Sequence, residues 1–380
     1  MQFRLNVIAA VAAAMFAGTA YSQEQTVTIG HVGPTSGGIA HLGKDNENGA
    51  RMAIDDLNAR GVKIAGKSVK WVLDAEDDAA DPKQGTAVAN KLVDAKVNGV
   101  VGHLNSGTSI PASNIYAAAG IPQISPSSTA VAFTNRGLKN VFRVVANDGQ
   151  LGGTLGRYAV KDLKGKSIAV IDDRTAYGQG VAEEFAKAVK ASGGSIAEQQ
   201  YTTAQATDFT AILTAIKAKK PDIIFFGGMD AVAGPMIRQM KQLGIESKFM
   251  GGDGICTTDL PKLAGGAMAD GQVVCAEAGG VEGAQKGGMD KFKADYQKKY
   301  GMPVQIYAPY VYDAVELMAE AMVKAGSADP AKYLPVLAKT SGYKGVTGTI
   351  SFDAKGDIKN GALTLYTYKG DKKDEMKVVR

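Results

Sequence analysis

Short apolar, β-rich runs alternate along the chain with longer amphipathic segments, and the alternation sets in soon after residue 25. "TVTIGHVGP" (26–34) and "KSVKWVLDAEDD" (67–78) read as strands, and "KDNENGARMAIDDLNARG" (44–61) between them as a helix stopping at Gly61. "DPKQGTAVANKLVDAK" (81–96) predicts a further helix, with Asp81 suited to the N-cap and Pro82 to the first turn. A strand in "VNGVVGHL" (97–104), a helix from Pro111 to Gly120 and a short strand "IPQIS" (121–125) follow. The order βαβαβ implies a parallel sheet with helices on both faces.

The pattern restarts after "VFRVVANDGQ" (141–150) with "LGGTLGRYAVKDL" as a helix. Strands "SIAVIDD", "SIAEQQYT", "IIFFGG" and "KFMGGDG" then alternate with helices "GQGVAEEFAKAVKASGG", "DFTAILTAIKAKKPD" and "AVAGPMIRQMKQLG". The last hundred residues break the alternation: two helices, "MDKFKADYQKKYG" and "YAPYVYDAVELMAEAMVKAG", precede a tail (343–379) that reads as two hairpins. Their turns are expected at Asp353-Ala354-Lys355-Gly356 and Lys369-Gly370-Asp371. The fold class predicted is α/β, two doubly wound parallel-sheet lobes. No flexible linker separates them, so they should be joined by ordered crossovers acting as a hinge.

Length agrees, since 380 residues with 45% hydrophobic content exceed one ordinary core. The first 22 residues stand apart: Arg4, the apolar "VIAAVAAAMFAG" and the small-x-small Ala20-Tyr21-Ser22 form a secretory signal sequence. Its apolar part falls short of the ~18 residues a membrane span needs. No cysteine stands at the cleavage site, which argues against a lipid anchor. Net charge is +5, or +4 once Arg4 is removed, with acids and lysines interspersed; a nucleic-acid partner is not expected. The two cysteines, Cys256 and Cys275, are free to pair in an oxidising compartment, the alternative being two buried thiols. Two cysteines and three scattered histidines exclude a Cys-rich zinc site.

"GHLNSGTS" (102–109), between a strand and a helix, admits three chemistries: a serine nucleophile, a phosphate cradle, or a grip on a small carboxylate. Ser106 near His103 lacks the Gly-x-Ser-x-Gly elbow of a hydrolase, and His103 reads as structural. Gly178-Gln179-Gly180 lacks the third glycine of a dinucleotide fingerprint. In an open α/β sheet, ligands sit outside the carboxyl ends of the strands. There "GHLNSGTS" and "ISPSSTAVAF" (124–133) supply hydroxyls for a carboxylate, while "FFGGMD" (225–230) and "FMGGDG" (249–254) supply Asp230 and Asp253 for an amine. Opposite charges on the two lobes describe a cleft for a zwitterion.

With "GPTSGGIAHLGKDNENGARMAIDDLNARG", "DDAADPKQGTAVANKLV", "VVGHLNSGTSIPASNIYAAAGIPQISPSSTA", "YGQG", "DFTAILTAIK", "FMGGDG" and "GTISFDAKGDIKN" in this order, the chain resembles the periplasmic leucine/isoleucine/valine-binding protein family. These are solute receptors of ABC importers for branched-chain amino acids. The resemblance implies that Ser106 and Thr129 hold the ligand carboxylate, that the Ser127 carbonyl and Thr129 help hold the ammonium, and that Tyr177 and Asp253 arrive on closure. Leu104, Asn105, Ser128, Asp230 and Tyr307 complete the expected site. Met229 stands where the best-known members carry a ligand-facing tyrosine, and Leu42 where an aromatic covers the ligand side chain. Some members have a disulfide joining the positions of Ala80 and Asn105, and it is absent. The implied lobes comprise residues 23–147 with 277–356 and residues 148–276 with 357–380, after a signal at 1–22. Crossovers are expected near 146–149, 275–278 and 355–358. A periplasmic, monomeric receptor of a small-molecule amino acid is expected, with an inner-membrane ABC permease as partner, no cofactor and no turnover. The other reading on the same fold is a sensor of an amide, aromatic acid or short peptide.

Overall fold

The computed structural model describes residues 24–379; the expected signal sequence at 1–22 lies outside them. The first sheet comprises β1 (Gln25–Gly33), β2 (Lys63–Ile64), β3 (Lys67–Asp77), β4 (Gly99–Gly102), β5 (Gln123–Ser125) and β6 (Val141–Arg143), in the order β2-β3-β1-β4-β5-β6. All its pairings are parallel except the β2–β3 hairpin. Ile29 of β1 lies between Leu73 of β3 and Gly99 of β4, so the strand order reverses at β1 and opens a crevice at its carboxyl end. Helices α1 (Ala40–Ala59), α2 (Pro82–Asp94) and α3 (Ser106–Ala118) connect the strands. Asp81 caps α2 by accepting from the Lys83 and Gln84 amides, as its position before Pro82 predicts.

The second sheet holds β7 (Ser167–Asp172), β8 (Ser195–Tyr201), β9 (Ile223–Gly227), β10 (Lys248–Gly251) and β11 (Val273–Glu277). Helix α4 (Asp148–Lys161) leads into this sheet, and α5 (Ala176–Ala191), α6 (Thr210–Ala218), α7 (Asp230–Gln242) and the short α8 (Leu260–Leu263) connect its strands. Ile223 to Phe226 of β9 are all buried, because helices cover both faces of the parallel strands. The chain then returns to the first sheet's side with α9 (Lys286–Tyr300), α10 (Ala308–Ala325), α11 (Pro330–Leu337) and the small hairpin β12 (Tyr343–Gly345) with β13 (Gly348–Ile350). It crosses once more to end as β14 (Leu363–Lys369), antiparallel to β11, and β15 (Lys372–Val379), the edge strand antiparallel to β14. Two of the passages are bonded together, Ala146 N–H donating to Ala278 O at 3.1 Å.

Among the contacts that fasten the late helices to the first lobe, two run through α1. The buried Asp45 carboxylate accepts from the backbone amides of Gln305, Ile306, Tyr307 and Ala308 at 2.8–3.1 Å. Gly49 lets α1 touch α10, since a Cβ there would lie 2.3 Å from Ala308 O. Cys256 and Cys275 are joined in a disulfide that ties β11 to the loop carrying Asp253.

Several sequence expectations shift. Helix α3 begins at Ser106 rather than Pro111: the Asn105 carbonyl already accepts from the Thr108 and Ser109 amides, and Pro111 sits inside the helix at the loss of one backbone bond. Helix α1 begins at Ala40, which places Leu42 in its first turn. The strand at "GTISF" pairs backwards with Tyr343–Gly345, and the turn at 353–356 closes only an isolated bridge between Phe352 and Ile358. Strand β11 and helix α11, absent from the periodicity reading, are both present.

Candidate functional site

The carboxyl ends of β4 and β5 are clamped together by hydroxyls. Ser127 and Ser128 donate to the Leu104 carbonyl at 3.0 and 3.1 Å, and Ser128 Oγ lies 2.6 Å from Ser109 Oγ. Arg143, wholly buried, braces the same turn: its guanidinium donates to the Ser128 and Ala130 carbonyls, to Thr134 and to Asp357. His103 is held between Asp78 at 2.8 Å and the Tyr116 hydroxyl at 3.0 Å, so it is a buried strut rather than a base for Ser106. Gly178 is a packing residue, since a Cβ there would lie 2.1 Å from Asp173 Oδ1 and 2.5 Å from Gly227 O.

Two hydroxyls of this clamp keep hydrogen-bonding capacity. Ser106 opens α3, is 2% exposed, and its oxygen accepts from Ala130 N–H at 3.1 Å, which leaves its own proton to donate. The Thr129 hydroxyl is buried without a partner among the described residues. Asn105 also carries a buried side-chain oxygen with no partner among the described residues.

Carboxylates face them from the second lobe. Asp253, at the end of β10, accepts from the Tyr177 hydroxyl at 2.8 Å and from the Tyr307 hydroxyl at 2.9 Å. Tyr177 in turn accepts from the Gly254 amide at 2.9 Å. Burial raises the Asp253 carboxyl to about 6, the two tyrosine bonds opposing the rise. Asp148, the first residue of α4, donates its amide to the Thr129 carbonyl at 2.8 Å, while both its carboxyl oxygens are buried with no well-formed hydrogen bond among the described residues. Burial raises this carboxyl to about 8; the neighbouring Thr129 hydroxyl opposes the shift and Asp253 adds to it. Asp230 accepts from Thr257 at 2.7 Å and lies 2.7 Å from His41 Nε2 on α1. Burial lowers the His41 pKa, but the bond and charge of Asp230 outweigh burial and leave it above its ordinary 6.5.

The lobes are thus drawn together by His41–Asp230, Tyr307–Asp253 and a Thr258–Gln305 bond of 2.7 Å. Of the residues singled out from sequence, Ser106, Thr129, Tyr177, Asp253 and Tyr307 present polar groups to this junction. Leu42 and Leu104 share one apolar cluster with Tyr177 and Tyr307, and Met229 packs against it. The side-chain hydroxyls of Ser127 and Ser128 are spent holding the Leu104 carbonyl, while the group expected of Ser127 is its backbone carbonyl. Sequence reasoning missed Asp148, His41 and Arg143. Asp148 lies in "ANDGQ", where an Asn-Asp pair before a helix reads as an ordinary cap, and Asn147 is that cap.

Donors on one side and acids on the other suit a small zwitterion, each charge desolvated only against a partner. Comparison with known proteins gives the same frame. The model of the family described as "Periplasmic binding protein" matches residues 26–374. The leucine-, isoleucine-, valine-, threonine- and alanine-binding protein of Pseudomonas aeruginosa is 35% identical over 366 residues, 96% of each chain. The branched-chain amino acid transporter substrate-binding protein LivJ of Streptococcus pneumoniae, solved with isoleucine, superposes with a TM-score of 0.83 at 28% identity, covering 93% of this chain and 99% of that one. A solute-binding protein of an ABC transporter from Rhodopseudomonas palustris, solved with 3,4-dihydroxybenzoic acid, superposes with a TM-score of 0.80 at 26% identity, covering 94% and 98%. With its two switch-point sheets, its three chain passages and this likeness over nearly its whole length, the chain belongs to the periplasmic binding protein family.

Proposed function

We propose that the protein is a monomeric periplasmic receptor that closes on a free amino acid and delivers it to an ABC importer of the inner membrane, without turnover or cofactor. The observation that carries this is the meeting of buried hydroxyls and buried acids: Ser106 and Thr129 on one side, the Asp148 carboxyl and the tyrosine-held Asp253 carboxyl on the other. In the bound state the α-carboxylate takes the Ser106 and Thr129 hydroxyls with the amides opening α3, a helix N-terminus that favours an anion. The α-ammonium takes the Ser127 carbonyl, Asp148 and Asp253. Tyr177 and Tyr307 hold Asp253 in position, and Leu42, Leu104, Met229 and Asn105 surround the side chain. The moving bodies are residues 23–147 with 277–356 and residues 148–276 with 357–380. A ligand that binds the closed form better shifts the population towards it, and the permease reads that shape.

Relatives named for branched-chain amino acids support this class of ligand. The aromatic-acid complex of the Rhodopseudomonas neighbour supports a second reading, a ligand with a carboxylate and no ammonium. That ligand would leave Asp148 and Asp253 buried without a cation. Calorimetry of ligand-stripped protein against amino acids and aromatic acids decides between them: amino acids should bind, and Asp253→Asn should weaken them at least tenfold, the order of one lost charged hydrogen bond. Binding of benzoates alone, with no amino acid detected, would overturn the proposal.

A further inference from the structure

The groups assigned to the amino-acid head leave one acid over. Asp230 opens α7 directly after Met229 and is fully buried. Its Oδ2 is engaged twice, by the Thr257 hydroxyl and by His41 Nε2, each at 2.7 Å. Its Oδ1 is buried with no partner among the described residues. His41 comes from the opposite lobe, so this carboxyl bridges the cleft.

Its place along the cleft follows from its neighbours. A side chain on Gly254 would start 2.8 Å from both Met229 Sδ and Tyr177 Cε1, so Met229 lies beside the Tyr177–Asp253 contact. Tyr307, whose hydroxyl meets Asp253, feels the charges of both Asp253 and Asp230, whereas Asp148 feels that of Asp253. Asp230 thus stands at the contact between the lobes, directly after Met229 in sequence and bonded to His41, the residue before Leu42; Met229 and Leu42 are the two residues expected around the ligand side chain. A buried acceptor with a free lone pair is satisfied only by a donor that arrives with the ligand or by water. Asn105 Oδ1, beside Ser106, is a second unpartnered acceptor.

Resting on the amino-acid reading above, we infer that Asp230 makes this receptor selective for amino acids whose side chain ends in an N–H or O–H donor, over apolar side chains of the same shape. His41 and Thr257 occupy Oδ2 and hold the carboxyl in place; Oδ1 accepts from the ligand. An apolar side chain leaves Oδ1 unpaired in a closed cleft, and a site built to hydrogen-bond rejects the analogue that lacks the donor.

Isosteric pairs test this: threonine against valine and asparagine against leucine, titrated calorimetrically into the ligand-stripped full chain. The donor-bearing member of at least one pair should bind about tenfold or more tightly than its apolar partner, and Asp230→Ala should erase that ratio. Valine and leucine binding as tightly as threonine and asparagine overturns the inference while leaving the amino-acid receptor standing. A ratio that survives Asp230→Ala overturns it too. If no amino acid binds, the receptor reading falls and the inference with it. Should Asp230→Ala fail to fold, the ratios of the unaltered protein decide alone.

Discussion

Asp148 imposes a cost on closing the cleft when it is empty, and the cost can be worked from its surroundings. In the closed arrangement burial raises the carboxyl from its ordinary 3.8 to about 8, the neighbouring Thr129 hydroxyl only partly offsetting the rise. In an opened, wetted cleft the group should titrate near its ordinary value. Between those two values the closed form carries a proton that the open form lacks, so closing the empty protein takes up a proton and becomes harder as pH rises. At about 1.4 kcal/mol per pH unit, protonating an ordinary carboxyl at pH 7 costs about 4 kcal/mol. That is roughly a thousandfold in the ratio of open to closed forms. The effect is absent below pH ~4 and complete above pH ~8; Asp253, raised to about 6, acts in the same direction. The ligand ammonium removes the penalty by pairing with the ionised carboxyls. Asp148→Asn should therefore close the empty protein more readily at pH 7 while weakening amino-acid binding. Lowering the pH from 7 to 5 should favour the empty closed form of the unaltered protein by about a hundredfold through Asp148, and further through Asp253. Small-angle scattering, or fluorescence transfer between labels on the two lobes, reads the closure, and calorimetry reads the binding. Empty Asp148→Asn protein as open as the unaltered one, with no pH response in either, would refute the argument.

Ser106→Ala removes a hydroxyl that α3 holds at the carboxylate end, and calorimetry should show amino-acid affinity falling by about 1.5–3 kcal/mol, the worth of a hydrogen bond to a charged group; unchanged affinity would remove Ser106 from the site. Replacing Cys256 and Cys275 together by serine opens a loop of sequence separation 19, and denaturant unfolding should show the second lobe destabilised by about 3 kcal/mol. A midpoint equal to that of the disulfide-bonded protein would contradict this.

Much of the frame is written in local pattern. Strands such as Ile223–Gly227 announce themselves because a strand covered on both faces must be apolar throughout, and Asp81-Pro82 marks a helix start by backbone chemistry alone. Position 111 misleads for the same kind of reason: proline favours a helix start, yet here the start lies at Ser106, where the Asn105 carbonyl finds its amides. The late helices could be read as helices but not placed, because the contacts that place them, Asp45 with residues 305–308 and Gly49 against Ala308, join positions some 260 residues apart.

The site divides along the same line. Ser106, Thr129, Asp230 and Asp253 could be proposed from sequence because each stands at a strand end or helix start, where a switch-point sheet exposes chemistry to a ligand, whereas Tyr177 came from the resemblance alone. Their hydrogen bonds were not legible. Ser127 and Ser128 look like Thr129 in sequence, but only packing spends the first two on the Leu104 carbonyl and leaves the third beside Asp148. Asp148 looks like a helix cap, and only burial between two lobes turns it into an acid near pH 8. Local sequence therefore settles which segments become strands and helices and which turns carry hydroxyls or acids, since propensity and periodicity act over a few residues. Which of those groups is satisfied, and which is left waiting for a ligand, depends on desolvation and on partners from the other lobe, and these exist only once the chain has folded and the cleft has closed.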